Sequence, residues 1–249
     1  MSVTTSKTFL SAFLKTLGML FLYIFVGLFI DSKYVVINYQ ESQWIANALM
    51  IFIFSIVWLK VTIKVRELML YAVIIGYVGE YLFSVGLGMY TYRLENVPHY
   101  IPMGHALVYI GVLYFIKTFY VKLNRKLLEK IFTGIIIIYA LAFLVFKNDV
   151  FGFVLTAATL LILRNKPRER LFYLTMYLSI VFLEITGTSY ECWEWPSKAW
   201  DYFTFLPSAN PPSGISFFYF GLDLGCLWLY KQRHKIAWSR MKNIRFLKK

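Results

Sequence analysis

The 249-residue chain is short of charge, of acid above all, and of the residues that build metal or redox centres. Charged residues are 16% of it, and 26 Lys and Arg face 13 Asp and Glu, a formal charge of +13. Its three histidines, His99, His105 and His234, cannot furnish the histidine clusters of a membrane di-iron desaturase or hydroxylase, and no pairing of them suggests a haem. There is no aspartate-rich run of the kind that holds magnesium and diphosphate, no glycine-rich phosphate loop, and no Ser-His-Asp or Cys-His arrangement. Cys192 and Cys226 make neither a disulfide framework nor a metal cluster. Lys117, the only lysine well inside an apolar segment, sits near its end, which argues against a retinal Schiff base. The expectation is chemistry with no metal and no cofactor, drawn from carboxyls, one histidine, hydroxyls and aromatic rings.

What the chain does have is apolar and aromatic surface, 59% and 20% of its residues. Apolar runs recur at about the twenty-residue length that crosses a hydrocarbon core. Eight spans are expected, at about 10–30, 44–59, 67–90, 102–121, 131–146, 151–163, 171–190 and 214–230, the second, fifth and sixth of them short. This is an all-α, polytopic integral membrane protein. The run Phe9 to Ile30 is too long for a signal-peptide core, and no small-residue cleavage pattern follows it, so it is read as a span. Basic residues crowd three alternate connections (Lys60 to Arg66, Lys122 to Lys130, Arg164 to Arg170) and the tail after Tyr230. By the positive-inside rule both termini are cytoplasmic, and a bacterial inner membrane fits as the setting. The positive charge thus has an anionic bilayer face as its partner and not nucleic acid, whose binders carry their basic residues on a soluble fold. Oligomeric state is not legible.

One stretch, Glu80 to Tyr109, has a second copy at Glu184 to Tyr219. Each has a Glu inside an apolar run, then an aromatic-x-aromatic pair (Tyr90 and Tyr92; Trp193 and Trp195), then a closing segment in which Pro102, Gly104, Tyr109 and Gly111 match Pro212, Gly214, Tyr219 and Gly221. Each Glu follows a basic anchor, Arg66 or Arg170, by fourteen residues. The second copy carries an insertion of about seven residues that includes Trp200, Asp201 and Tyr202. The chain therefore divides into a four-helix repeat over 1–121, a second over 122–230, and a basic tail over 231–249. Four spans per half make the two repeats parallel, related by an axis along the membrane normal, with a shared site between them.

Ionisable side chains at membrane depth are costly and point to function. Glu80, Glu184, His105 and Asp223 are the candidate catalytic residues. The alternative for each Glu is a structural hydrogen bond that pins helices together, and for His105 an interfacial histidine at a helix start. The halves differ where His105 meets Ile215 and Asp223 meets Leu113. Four-residue spacing puts His105 with Tyr109 and Asp223 with Tyr219, so two distinct polar pairs are expected in one site. Tyr90, Tyr92, Trp193 and Trp195 are either an aromatic belt at the interface or the lining of a site whose ring faces stabilise a cation. Tyr109, Tyr219 and Asn210 complete the candidate substrate-binding set. Gly86, Gly88, Gly104 and Gly187 are expected to allow close helix contact.

The stretch with Glu80, Gly88, Tyr90-Thr91-Tyr92, Val97-Pro98 and Ile101-Pro102 resembles the membrane carotenoid-biosynthesis proteins of the CruF type, and Trp193-Glu194-Trp195 through Tyr202, Pro207 and Asn210 is similar to their tryptophan-rich segment. The resemblance covers about a third of the chain; it lacks that family's glycine-proline-phenylalanine-glycine run. It implies hydration of a terminal isoprenoid double bond. The residues themselves allow a cofactor-independent acid/base enzyme, hydratase-like or cyclase-like, acting on an isoprenoid or other lipid: one Glu protonates an alkene, the rings hold the cation, and the other Glu orients water or removes a proton. A small repeat-built transporter or lipid-handling protein using the same carboxyls is the competing class, and a non-catalytic assembly partner a third.

Overall fold

The computed structural model describes residues 10–239 apart from Ala12, Gln40 and Ala237; the rest of the basic tail, 240–249, lies outside the described residues. All eight apolar segments are helical. We label them α1 (Leu14–Val36), α2 (Ser42–Lys60), α3 (Ile63–Gly86), α4 (Tyr100–Lys117), α6 (Arg125–Lys147), α7 (Val150–Arg164), α8 (Arg170–Ser189) and α9 (Ser216–Arg233), with a short α5 (Phe119–Leu123) joining α4 to α6. Six of these, α1, α2, α3, α4, α6 and α8, are long and apolar enough to cross a bilayer, the architecture of a membrane protein. Helix α7 has 15 residues, and α9 carries Asp223, Lys231 and Arg233 within its 18.

The second and fifth segments are longer than their apolar cores, 19 and 23 residues. A basic side chain at a helix end does not stop the helix. Lys60 extends the last turn of α2, and Arg125 opens α6 while pairing with Glu129 one turn on, at 2.8 Å. Helices α4 and α8 are the most enclosed, 67% buried each, whereas α6 is 17% buried and turns Ile131, Ile138 and Val145 outward. The centre of the bundle is therefore α4 and α8, with α3 against α4 and α9 against α3.

Polar contacts sort the connections onto two ends. At the basic end, the guanidinium of Arg66 donates to the carbonyls of Trp58 and Leu59, closing the C-terminus of α2. Arg170 does the same for α7 through Leu163 and Arg164. Both satisfy carbonyls that a helix end leaves without an intrahelical partner. Arg125 reaches Pro167 and Arg168 across that end, and His234, just after α9, bonds Glu67 at the start of α3.

At the other, aromatic end, two fully buried aspartates grip the loops. Asp31, where α1 breaks, takes the Arg93 guanidinium and the Tyr100 hydroxyl (2.7 Å). Asp149 caps α7 through Gly152 N (3.1 Å) and accepts from Ala209 N (3.0 Å) and Ser213 N (2.7 Å). The close approach of that loop demands glycine: a Cβ on Gly214 would lie 2.2 Å from the Gly152 carbonyl.

The loops at this end are not purely irregular. Strand β1 (Thr91–Tyr92) pairs antiparallel with β2 (Trp193–Glu194), and β3 (Lys198–Ala199) pairs with β4 (Phe203–Pro207). The insertion expected near Trp200 is the tip of this second hairpin.

Candidate functional site

Helix α3 is regular through Glu80 and then widens into a π-helical turn over Tyr81–Gly86. Such a turn re-aims the chain, and Gly88, at φ +58°, completes the reversal that a side chain would resist. The strand that follows presents Tyr90 and Tyr92 on one face, back toward Glu80. In the second half, Trp193 and Trp195 stand on one face of β2 and its continuation, toward Glu184 on α8. The β1–β2 register sets Tyr92 directly opposite Trp193, so the two aromatic pairs meet.

The result is one buried cluster around two carboxyls. Glu80 Oε2 accepts from the hydroxyls of Tyr90 and Tyr92, both at 2.5 Å, and Glu80 Oε1 lies 2.6 Å from His105 Nε2. Glu184 Oε2 accepts from the indole N–H groups of Trp193 (2.9 Å) and Trp195 (3.1 Å), and its Oε1 accepts from the Tyr219 hydroxyl (2.8 Å). The rings of Tyr90 and Trp195 lie 4.5 Å apart, and those of His105 and Tyr219 5.0 Å apart, so each carboxyl's partners touch the other's. Burial first, then the neighbouring Glu80 carboxylate, push the Tyr90 and Tyr92 phenols well above their usual range, so both remain donors.

The two donor sets differ in what they can do. An indole N–H donates and never accepts, and it is far too weak an acid to give its proton up in a relay. Glu184 accepts from two of them and from one phenol, that of Tyr219. Glu80 is held by two phenols and an imidazole, groups that can pass a proton. The Nδ1 atom of His105 has no hydrogen-bond partner among the described residues, so the ring's polar contact is with Glu80, through Nε2.

His105, Tyr90 and Tyr219 form a partition between two spaces. On one side a small cavity of about 40 Å³ reaches Glu184, Tyr92, Trp193 and Tyr100 from between α1 and α2. On the other, a cavity of about 250 Å³ is walled by Glu80, Trp195, Ile75, Phe218 and Leu222 and lies between α3 and α9. Its rim includes Val78 and Leu82, both at least half exposed on the outer face of α3, so the cavity opens sideways from the bundle. Toward the basic end α9 approaches α3 closely: a Cβ on Gly225 would come within 2.9 Å of Ile75.

Of the sequence candidates, Glu80, Glu184, His105, Tyr90, Tyr92, Trp193, Trp195 and Tyr219 come together here. Tyr92, Trp193 and Trp195 are buried, which removes the aromatic-belt alternative for them. The expectation of two polar pairs in one site is corrected. His105 turns to Glu80 and Tyr219 to Glu184, while Tyr109 packs edge-on against Phe172 and Asp223 is buried elsewhere on α9. Neither Tyr109 nor Asp223 lines either cavity. Four-residue spacing fixes a shared helix face but not which neighbour that face meets. Asn210 is exposed and serves the scaffold, its Oδ1 accepting from Trp195 N at 3.1 Å.

The glycines are also reassigned. Gly187 makes room for the Trp193 indole and not for a helix, Gly88 makes a turn, and Gly86 and Gly104 have only ordinary contacts around a would-be Cβ. Phe218 and Tyr100 line the cavities and were not singled out in the sequence; among so many aromatic residues nothing marked them. Comparison of the chain with family models, with curated proteins and with solved structures finds no match in any of the three.

Proposed function

We propose that the protein is a cofactor-independent intramembrane enzyme that adds a proton to a carbon–carbon double bond of a lipid, with an isoprenoid chain as the preferred class. The observation that carries this reading is the Glu80–His105 pair on the wall of an apolar cavity that opens laterally between α3 and α9. An apolar chain reaches such a cavity from the bilayer without crossing water. Glu80, with the proton it shares with His105, protonates one alkene carbon, and the neighbouring carbon becomes the cation. The rings of Tyr90, Trp195, Phe218 and Tyr219, which line that cavity, stabilise the charge. In hydration, water supplies the oxygen and its spare proton returns to Glu80. In isomerisation or cyclisation, a proton leaves an adjacent carbon and returns to the same group. Either way the enzyme ends as it began.

The shared Glu and aromatic pair, and the matching roles of Arg66 and Arg170, support two parallel four-helix halves and eight crossings, with α7 and α9 as the short members. The basic residues gathered at one end support that end, with both termini, as the cytoplasmic one. The close approach of α9 to α3 at Gly225 and Ile75 favours an enzyme over a carrier, since a carrier needs a way through to both sides. The test is turnover of isoprenoid lipids by purified protein in lipid nanodiscs, with Glu80→Gln and His105→Gln as variants. Loss of turnover of at least about 100-fold in Glu80→Gln is expected for a general acid. Unchanged turnover in a folded Glu80→Gln protein would overturn the proposal.

A further inference from the structure

The hairpin of β3 and β4 stands at the aromatic end, just before the loop that Asp149 holds through Ala209 and Ser213. Its turn residues Trp200 and Asp201 hold φ of 53° and 52°, a left-handed conformation that costs a non-glycine residue energy and persists where surrounding contacts enforce it. Those contacts are aromatic. Trp200 turns inward, its ring 5.3 Å from Phe151 at the start of α7 and 6.5 Å from Phe218 of α9, which itself lines the lateral cavity. The strained turn leaves Tyr202 and Phe205 pointing outward, 78% and 71% exposed.

We infer that the 198–207 hairpin is a membrane-docking element whose Tyr202 and Phe205 lie in the headgroup–acyl boundary of the bilayer beside the mouth of the lateral cavity. Three observations select lipid as the occupant. The hairpin packs on the ends of α7 and α9, at the periphery of the bundle and not over its centre. Through Trp200 it reaches Phe218, which lines the lateral cavity together with Val78 and Leu82 on the exposed apolar face of α3. Its charges, Lys198 and Asp201, are few and neighbour each other at 3.8 Å, leaving the tip to rings that suit a boundary where one side is apolar and the other wet. The hairpin so placed lies beside Phe218, a lining residue of the lateral cavity. This goes beyond the acid chemistry proposed above and rests only on the membrane architecture.

The test places a nitroxide spin label at Phe205→Cys and, separately, at Tyr202→Cys in the full chain, reconstituted in lipid bilayers. The native Cys192 and Cys226 are buried and stay unlabelled. Relaxation by oxygen, which concentrates in lipid, is compared with relaxation by a water-soluble nickel chelate. Ile138→Cys on the outward face of α6 serves as the lipid reference and Lys166→Cys in a basic connection as the water reference. Both hairpin positions are expected to show a several-fold higher oxygen-to-nickel ratio than Lys166→Cys, approaching that of Ile138→Cys. Ratios equal to that of Lys166→Cys, or labels shielded from both reagents as in a protein–protein contact, would overturn the inference. Either failure leaves the turnover test of Glu80 untouched.

Discussion

Replacing Gly187 by alanine is the sharpest test of how the carboxyl cluster is assembled. A Cβ at that position would lie 2.1 Å from both Cζ2 and Cη2 of Trp193. Ordinary contact begins at 3.4 Å, so the indole has to move by at least about 1.3 Å. The ring is backed by Tyr92, edge-on at 6.0 Å, and its Nε1–H is committed to Glu184 at 2.9 Å. A shift of that size stretches the hydrogen bond past any useful length. Overpacking costs about 1–3 kcal/mol and loss of a hydrogen bond to a charged group about 1.5–3 kcal/mol. Because the two share one ring they do not add fully, and a loss of about 3–4 kcal/mol is expected. The assay is denaturant-induced unfolding in detergent, with Gly134→Ala on α6 as control. A Cβ there meets nothing within 4 Å, and the variant should gain up to about 1 kcal/mol from helix propensity. If Gly187→Ala were as stable as Gly134→Ala, the placement of Trp193 against α8, and with it the geometry at Glu184, would be wrong.

The other expectations follow from the same contacts. Asp31→Ala leaves the Arg93 guanidinium and the Tyr100 hydroxyl facing a buried gap, and unfolding measurements should show a loss of about 3–5 kcal/mol. The double variant Asp31→Leu, Arg93→Leu should recover most of that loss, because no buried charge is then left alone. Burial, with the Asp31 charge adding to it, raises the Cys192 thiol above its ordinary value, as burial and Glu80 raise Tyr90 and Tyr92. Groups whose folded values are raised stabilise fully below their unfolded values and lose that contribution as pH climbs. The midpoint of thermal unfolding should therefore hold steady at neutral pH and fall from about pH 9 upward, with Cys192→Ala lessening the first part of the fall. A midpoint that rises above pH 9 would contradict the burial assigned to these three groups.

Much of this arrangement was legible in the sequence, for identifiable reasons. Apolar runs near twenty residues announce helices because the backbone has no other way to satisfy itself in hydrocarbon, and all eight became helices. The paired stretches around Glu80 and Glu184 announced a common site because the same residue at the same distance from Arg66 and Arg170 is costly to keep without a use. The rest depended on contacts distant in sequence. Asp31 ends an apolar run and Asp149 opens one, yet each acts sixty or so residues away, on Arg93 or on Ala209 and Ser213. Nothing local marks them as equivalent grips. Tyr109 and Asp223 share helix faces with His105 and Tyr219 by spacing, but the packing of α4 against α8, and of α9 against α3 and α8, sends them elsewhere. The β1–β2 pairing, only two residues long on each side, is too short to show as a strand pattern.

The central claim is that Glu80 moves a proton to a lipid double bond. Mass spectrometry of the lipids that copurify with the wild-type protein and with Glu80→Gln tests it most directly. The account predicts that Glu80→Gln retains an unsaturated lipid which, on transfer to the wild-type protein, gains the mass of one water or changes retention at unchanged mass. Identical lipid profiles for the two proteins, with no conversion on transfer, would contradict it.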